Sequence, residues 1–343
     1  MATGRTRNTS ERKKKRERMT VLSMMAVLLI LVLTAFACTK KKSVAEVSVK
    51  SENTKPETVK ETTTQDPHAG MERSMLTGQW VAKENIGLRP VAVMFSNIED
   101  AMPQSSISYA DIVFESLVEG GITRLCCVFD NQTSLSKIGP VRSCRTYYLL
   151  FAKEFEAVYV HFGASEYAAG YLANPEFHSL EGMVYCDFYR TTDRVAPHNA
   201  YTSWKGIMDS VAYRGYDAAY PAGYTGVFQF NTDDDKDIVP SDGESCKTFY
   251  PGYWYNNPWF TYDEATGKYL RFQFNAPQID AETQTQLAFE NILVKYVTPQ
   301  YYENGTPNYK IDGTNTGLFI PKGKAVPVTW TTQSETEGAT KYY

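Results

Sequence analysis

Apolar residues in this chain gather in short runs separated by glycine, proline and small polar residues. The runs at 91–95 (V-A-V-M-F), 112–118 (I-V-F-E-S-L-V), 125–129 (L-C-C-V-F) and 157–161 (A-V-Y-V-H) are rich in β-branched and aromatic residues and predict strands. Between and after them, helical spacing is expected over 138–155, 166–173 and 204–211. Strands alternating with helices predict an α/β layer with right-handed crossovers. Beyond Arg214 the texture changes to short strand-like runs at 227–230, 246–250, 259–262, 269–274, 292–297 and 326–331, with a hairpin loop at 263–268. The expected fold is therefore α+β/α/β. An N-terminal α/β domain with a mixed sheet (85–219) precedes a smaller, mostly antiparallel β domain (225–343). The chain stops at Tyr343 just after Thr340 opens what reads as a returning strand, so the second domain is expected to be truncated.

The first stretch has a different texture. A basic run, 12–18, precedes residues 19–37, which carry no charge and end in Ala35-Phe36-Ala37-Cys38. This is the layout of a signal peptide (1–38), and the cysteine after small residues resembles a bacterial lipobox, with Cys38 as the lipid attachment site. The alternative is an uncleaved signal anchor, since the apolar run approaches the ~20 residues that span a bilayer. Either way the folded body is expected on the extracytoplasmic face of the cell membrane, held there by a lipid or a signal anchor. Residues 39–84, poor in aromatics and rich in Thr, Lys, Glu and Ser, are expected to be a disordered tether with a mean reach of about 35–40 Å.

Charge and cysteine usage narrow the classes further. Residues 1–37 hold eight basic and two acidic side chains, +6, so the remainder carries −10 against a formal total of −4. An acidic body argues against nucleic-acid binding, which draws its affinity from phosphate neutralisation. Six cysteines without a C-x-x-C pair and four histidines argue against structural zinc, so no metal and no cofactor are expected. The carboxylates at 233–235 and 237 lack the glycine and closing glutamate of a calcium loop.

The candidate site centres on Glu119-Gly120-Gly121-Ile122-Thr123-Arg124, between two strand-like runs. If the glycines form a two-residue turn, Glu119 pairs with Ile122, Leu117 with Arg124 and Glu115 with Cys126. That pairing places Glu115, Glu119 and Arg124 on one face. Arg142 and Arg145, three apart in the first turn of the helix expected from 138, would share a helix face where cations are disfavoured by the dipole. Such a pair suggests a bound anion or nearby carboxylates. His161 stands at a strand's carboxyl end, followed by Gly163 and Ser165, and such ends are where α/β sheets place sites. Ser165 also reads as a plain helix cap, and His161 as a satisfied core histidine. Downstream of Arg190 and Arg194, His198 and Asn199 lie on a loop after Pro197 and complete the ligand-binding set.

The segments R-P-V-A-V-M, A-D-I-V-F-E-S-L-V-E-G-G-I-T-R, I-G-P-V-R-S-C-R and A-P-H-N-A-Y-T-S resemble a YerB-like bacterial lipoprotein family, a domain of unknown function in N-terminal and C-terminal parts. The resemblance runs from Leu76 to Tyr343 and implies a lipoprotein with an α/β domain followed by a strand-rich domain. It brings no activity. Ser106-Ile107 stands where the family carries Gly-Leu, and Gln278 where it carries His.

Two function classes follow. One is a binding module for an anionic or carbohydrate envelope ligand, or for a protein partner. The other is a hydrolase or transferase on a cell-envelope polymer, with Glu115 or Glu119 as acid or base. No G-x-S-x-G, H-E-x-x-H or phosphate-loop pattern supports the second. A carboxylate flanked by arginines is held ionised, which suits binding better than proton transfer.

Overall fold

The computed structural model describes residues 67–184, 187–231, 239–334 and 339–343. The signal peptide, Cys38 and the carboxylates at 233–235 and 237 lie outside these residues. The tether expected up to residue 84 gives way earlier to order. β1 (Met71–Arg73) and β2 (Trp80–Ala82) pair antiparallel. Trp80 stacks on His68 and carries the Arg73 guanidinium over its ring. One tryptophan and the buried Leu76 give this short ribbon its apolar contact.

The central sheet follows. It comprises β3 (Val91–Asn97), β4 (Ile112–Leu117), β5 (Thr123–Phe129), then, after helix α1 (Thr146–Glu154), β6 (Val158–His161), and, after α2 (Ala169–Ala173), β7 (Ser179–Glu181). Its order is β4-β5-β3-β6-β7. β5 runs antiparallel to β3 and β4, while β3, β6 and β7 are parallel, so the sheet is mixed as expected. Every residue of β3 and β5 is buried, because both faces are covered. One face packs against α1 through Tyr147, Tyr148 and Phe155. The other packs against α3 (Trp204–Arg214), which Ser203 caps, through Trp204, Ile207 and Val211. A short ribbon of β8 (Tyr189–Arg190) and β9 (Ala200–Tyr201) precedes α3.

The second domain holds two antiparallel sheets. β10 (Glu244–Ser245), β16 (Asn291–Lys295), β19 (Gly313–Pro321), β20 (Lys324–Thr332) and β21 (Lys341–Tyr342) form one. β11 (Thr248–Phe249), β12 (Trp259–Asp263), β13 (Lys268–Gln273), β14 (Ala276–Pro277) and β15 (Ala288–Phe289) form the other. A ribbon of β17 (Thr298–Tyr301) and β18 (Pro307–Lys310) lies between β16 and β19 in sequence.

Residues 227–230, expected as a strand, form none, and two further expectations are corrected. The hairpin after β4 has a three-residue loop, Glu119-Gly120-Gly121, closed by Val118 N–H donating to Ile122 O at 2.8 Å. Gly120 and Gly121 have φ of 73° and 71°, a conformation glycine adopts without penalty. The extra loop residue shifts the register, so Glu115 faces Leu125 and Arg124 faces Ser116. A one-residue shift moves a side chain to the other face. Glu115 and Arg124 therefore lie on opposite sides of the sheet. The second correction concerns residues 138–145, which are extended rather than helical. Ser96 N–H donates to Pro140 O, Arg142 N–H to Met94 O, Phe162 N–H to Arg142 O and Cys144 N–H to Gly163 O. The segment thus fills the gap where β3 and β6 diverge beyond their shared residues, and the helix starts only after Arg145. Strand groups left open by that divergence outcompete the helix.

On its face, Glu115 joins the two domains. It accepts from Asn97 Nδ2 (3.1 Å), Thr123 Oγ1 (2.8 Å), Asn256 Nδ2 (2.9 Å) and Arg271 Nη2 (2.7 Å). Gln278 bonds Arg271 and donates to Gln104 Oε1 at 2.9 Å, so it is part of this lattice. Asp280 accepts from Ser106 N and Ser108 N, and Ser106 sits at φ 65°, a conformation that glycine adopts more readily than serine. With Arg271 2% exposed and Glu115 12%, removing one partner strands a buried charge. We expect Arg271→Met to cost about 3–5 kcal/mol in denaturant unfolding, and the double change with Glu115→Gln to recover much of it. Additive losses in the double variant would show that the two charges do not depend on each other.

Candidate functional site

β3, β6 and β7 are parallel, so their carboxyl ends meet at one edge of the sheet, where the 118–122 hairpin and the start of β5 also lie. This edge collects most of the candidate residues. Arg124 enters from the start of β5 beside Ser96, with its guanidinium donating to Ser143 O at 2.7 Å and its side chain buried. No acidic group pairs with it among the described residues. Burial, then the like charges of Arg145 and Arg142, pull its pKa down to about 10, so it remains charged at neutral pH.

Arg145 takes both oxygens of Glu119 at 2.6 Å each and donates a third bond to Cys144 O at 2.7 Å. Burial alone would raise the Glu119 pKa, but the hydrogen bonds and charge of Arg145, with a further pull from Arg124, hold it below its ordinary value. Arg142 stands between these groups and the β8–β9 loop. It is half-buried, and no side-chain hydrogen bond or ion pair engages it among the described residues. Burial, then the charges of Arg145 and Arg190, lower its pKa. Arg190, which sequence reasoning left out of the site, lies over the Phe162 ring at 4.8 Å and donates to Asn199 Oδ1 at 2.7 Å. Near His198, burial and the charges of Arg142, Arg124 and Arg194, against that of Asp100, lower the imidazole pKa, and Nδ1 lies 3.2 Å from Ser96 Oγ. Four arginines and a histidine thus share one edge, and Glu119 there is already taken by Arg145.

The remaining candidates have internal tasks. His161 is 1% exposed, with Nδ1 2.8 Å from Gly163 O and Nε2 2.8 Å from Ser179 Oγ. Glu181 stands 3.2 Å from Nδ1 and accepts from Gly163 N and Met183 N. For Glu181, burial is outweighed by the His161 and backbone hydrogen bonds, which leave its pKa lowered. His161 is therefore a satisfied core histidine rather than a ligand contact. Gly163 (φ 82°) touches Ser143 so closely that a Cβ would meet its Oγ at 2.8 Å, which keeps the 142–144 segment against this turn. Ser165 accepts from Tyr167 N as a helix cap, and Asn199 is buried between Arg190 and Thr191 O. Glu115 belongs to the domain junction. Among the described residues, no group of three or more acidic, cysteine or histidine side chains is placed to hold a metal.

A cavity of about 300 Å³ lies elsewhere, lined by Glu154, Tyr224, Lys295, Thr332 and Thr340 among others. Its ammonium is already engaged. Lys295 donates to Ile311 O, Thr332 Oγ1 and Thr340 Oγ1 and lies 4.2 Å from the Trp330 ring, while burial brings its pKa to about 8.

Known proteins share this layout. The N-terminal domain model of a protein of unknown function (DUF3048) matches residues 76–217, and the C-terminal domain model of the same family matches 249–343. The chain belongs to this family and carries both of its domains. The chain is similar to "Putative lipoprotein YerB" of Bacillus subtilis (strain 168), 29% identical over 265 residues, 75% of this chain and 77% of that protein. The crystal structure of the YerB protein from Bacillus subtilis superposes with a TM-score of 0.68 at 27% identity, covering 79% of this chain and 92% of that one.

The charge imbalance has a measurable signature. In a buffer of weakly binding anions, Arg142→Gln should lose no stability and gain slightly, because a cation repelled by its neighbours is removed. Arg145→Gln should lose about 1 kcal/mol, a value kept modest by the exposed half of the Glu119 carboxylate. Thermal unfolding checks both. A destabilised Arg142→Gln protein would mean that this arginine holds the fold together.

Proposed function

We propose that the folded body is an extracytoplasmic binding module for a phosphate-type oxyanion, tethered to the membrane through Cys38. The observation that supports it is Arg142, a half-buried guanidinium with no engaged partner among the described residues, set beside the buried Arg124, which forms no ion pair among those residues. Folding two desolvated cations next to each other costs free energy. An oxyanion between them offsets that cost, and the planar forks match its oxygens bidentately. The catalytic alternative draws no comparable support. Glu119 is clasped by Arg145 and its pKa is lowered, and Glu115 accepts four hydrogen bonds at the domain junction, so neither carboxylate stands ready to exchange a proton beside the arginines.

Calorimetry with inorganic phosphate tests the reading. Arg142→Gln should weaken binding roughly ten- to a hundredfold, the loss of one charge-assisted contact pair. Once the phosphate itself is fully in its monoanionic form, binding should also tighten as pH falls further. Burial and the neighbouring arginines hold the His198 pKa below its ordinary value and favour the neutral ring, and its protonation on acidification adds positive charge to the site. The same depressed pKa means that folding stability falls in that acid range unless an anion is bound. A His198→Gln variant should flatten the added pH dependence. Equal phosphate affinity in wild type and Arg142→Gln would end the proposal. For the tether, metabolic labelling with a lipid precursor should mark the wild type and leave Cys38→Ala unlabelled, and lipid on the alanine variant would refute attachment at this cysteine.

A further inference from the structure

The edge that gathers the arginines also exposes apolar side chains that the fold does not require. Met183 and Val184 follow β7 and are 65% and 64% exposed, and Val195, on the loop between β8 and β9, is 83% exposed. Single exposed apolar residues are ordinary. These, however, sit on the two loops that border the cationic site. The 181–184 turn is pinned to it through Gly182 N–H donating to His161 O and through close packing of Gly182 against Phe162, the ring beneath Arg190. The loop bearing Val195 is pinned through His198, whose N–H donates to Val195 O while its ring reaches Ser96. Neither loop hangs free of the scaffold.

We infer that this edge docks on the surface of a membrane containing anionic lipid, with a lipid phosphate at Arg142 and Arg124 and with Met183, Val184 and Val195 entering the apolar boundary beneath the head groups. The inference rests on the oxyanion reading above and names the source of the anion. A soluble phosphate has no use for exposed apolar loops. An amphiphile matches both halves, cations for the head group and aliphatic side chains for the layer below. Charge complementarity is local here. Outside residues 1–37 the chain carries −10, so an anionic surface repels the body as a whole while this edge attracts it. That asymmetry selects one orientation on the bilayer, and the proposed anchor at Cys38 already keeps the domain within reach of it.

The test uses the full lipidated chain reconstituted into vesicles. An environment-sensitive fluorophore is placed at Met183→Cys or Val195→Cys, with Tyr213→Cys, on the solvent face of α3, as the reference position and the unsubstituted chain as the labelling blank. In phosphatidylcholine vesicles containing phosphatidylglycerol, the dyes at 183 and 195 should be shielded from an aqueous quencher at least threefold relative to the dye at 213. In pure phosphatidylcholine, or with Arg142→Gln added, that difference should vanish. A Met183→Ser/Val195→Ser protein should keep its inorganic phosphate affinity within twofold, which separates this inference from the one beneath it. If phosphate binds in solution while both loops stay open to quencher on anionic vesicles, the docking inference fails and the oxyanion site stands. If phosphate does not bind, both fail. Shielding of 183 and 195 that persists without anionic lipid would also overturn the inference, because the arginines would then play no part.

Discussion

Everything at the candidate site depends on where the backbone of residues 138–145 finds its hydrogen bonds. β3 and β6 share only 91–93 with 158–160, and beyond that both strands would present unsatisfied groups in a buried place. The 138–145 segment satisfies them on both sides, from Met94 and Ser96 to Phe162 and Gly163. Having done so, it must carry Arg142 and Arg145 into the edge of the sheet. The first then faces the 190–198 loop and the second turns toward Glu119. Packing demands of the fold therefore bring together cations that would avoid one another in water.

The two faces of this sheet do different work. On one, Glu115, Asn97, Thr123 and Gln104 meet Arg271, Gln273 and Gln278 in a buried lattice that fixes the β domain against the α/β domain. Charge is balanced there, and the polar groups are nearly all paired. On the other face, no carboxylate forms an ion pair with Arg124 or Arg142 among the described residues. A protein that can pair one buried arginine so thoroughly and leaves two others uncompensated has spent stability at a defined place, and ligand sites are where such spending is found.

Much of the fold was legible from periodicity. The continuous apolar runs of β3 and β5 announce strands covered on both faces, and Asp263 and Lys268 close a hairpin where its loop was expected. The register around Gly120 was not legible, because two glycines fit a two- or a three-residue loop and the choice inverts the face of Glu115. The extended course of 138–145 was hidden too, since it answers to strands far away in sequence. Arg271 did leave a signal. It occupies an inward position of β13, whose burial alternates strictly, and a charge at such a position calls for a buried partner. Arg190 left none, as its place over Phe162 follows from the β8–β9 ribbon alone.

The central claim is that Arg142 is held open for an anion beside the buried Arg124, while Arg145 and Arg271 are already committed to carboxylates. Side-chain nitrogen NMR of the arginines during a phosphate titration tests it most directly. The account predicts saturable shifts for the guanidinium resonances of Arg142 and Arg124, with Arg145 and Arg271 held still by their carboxylates. Uniform small shifts across all arginines, or an unmoved Arg142, would contradict it.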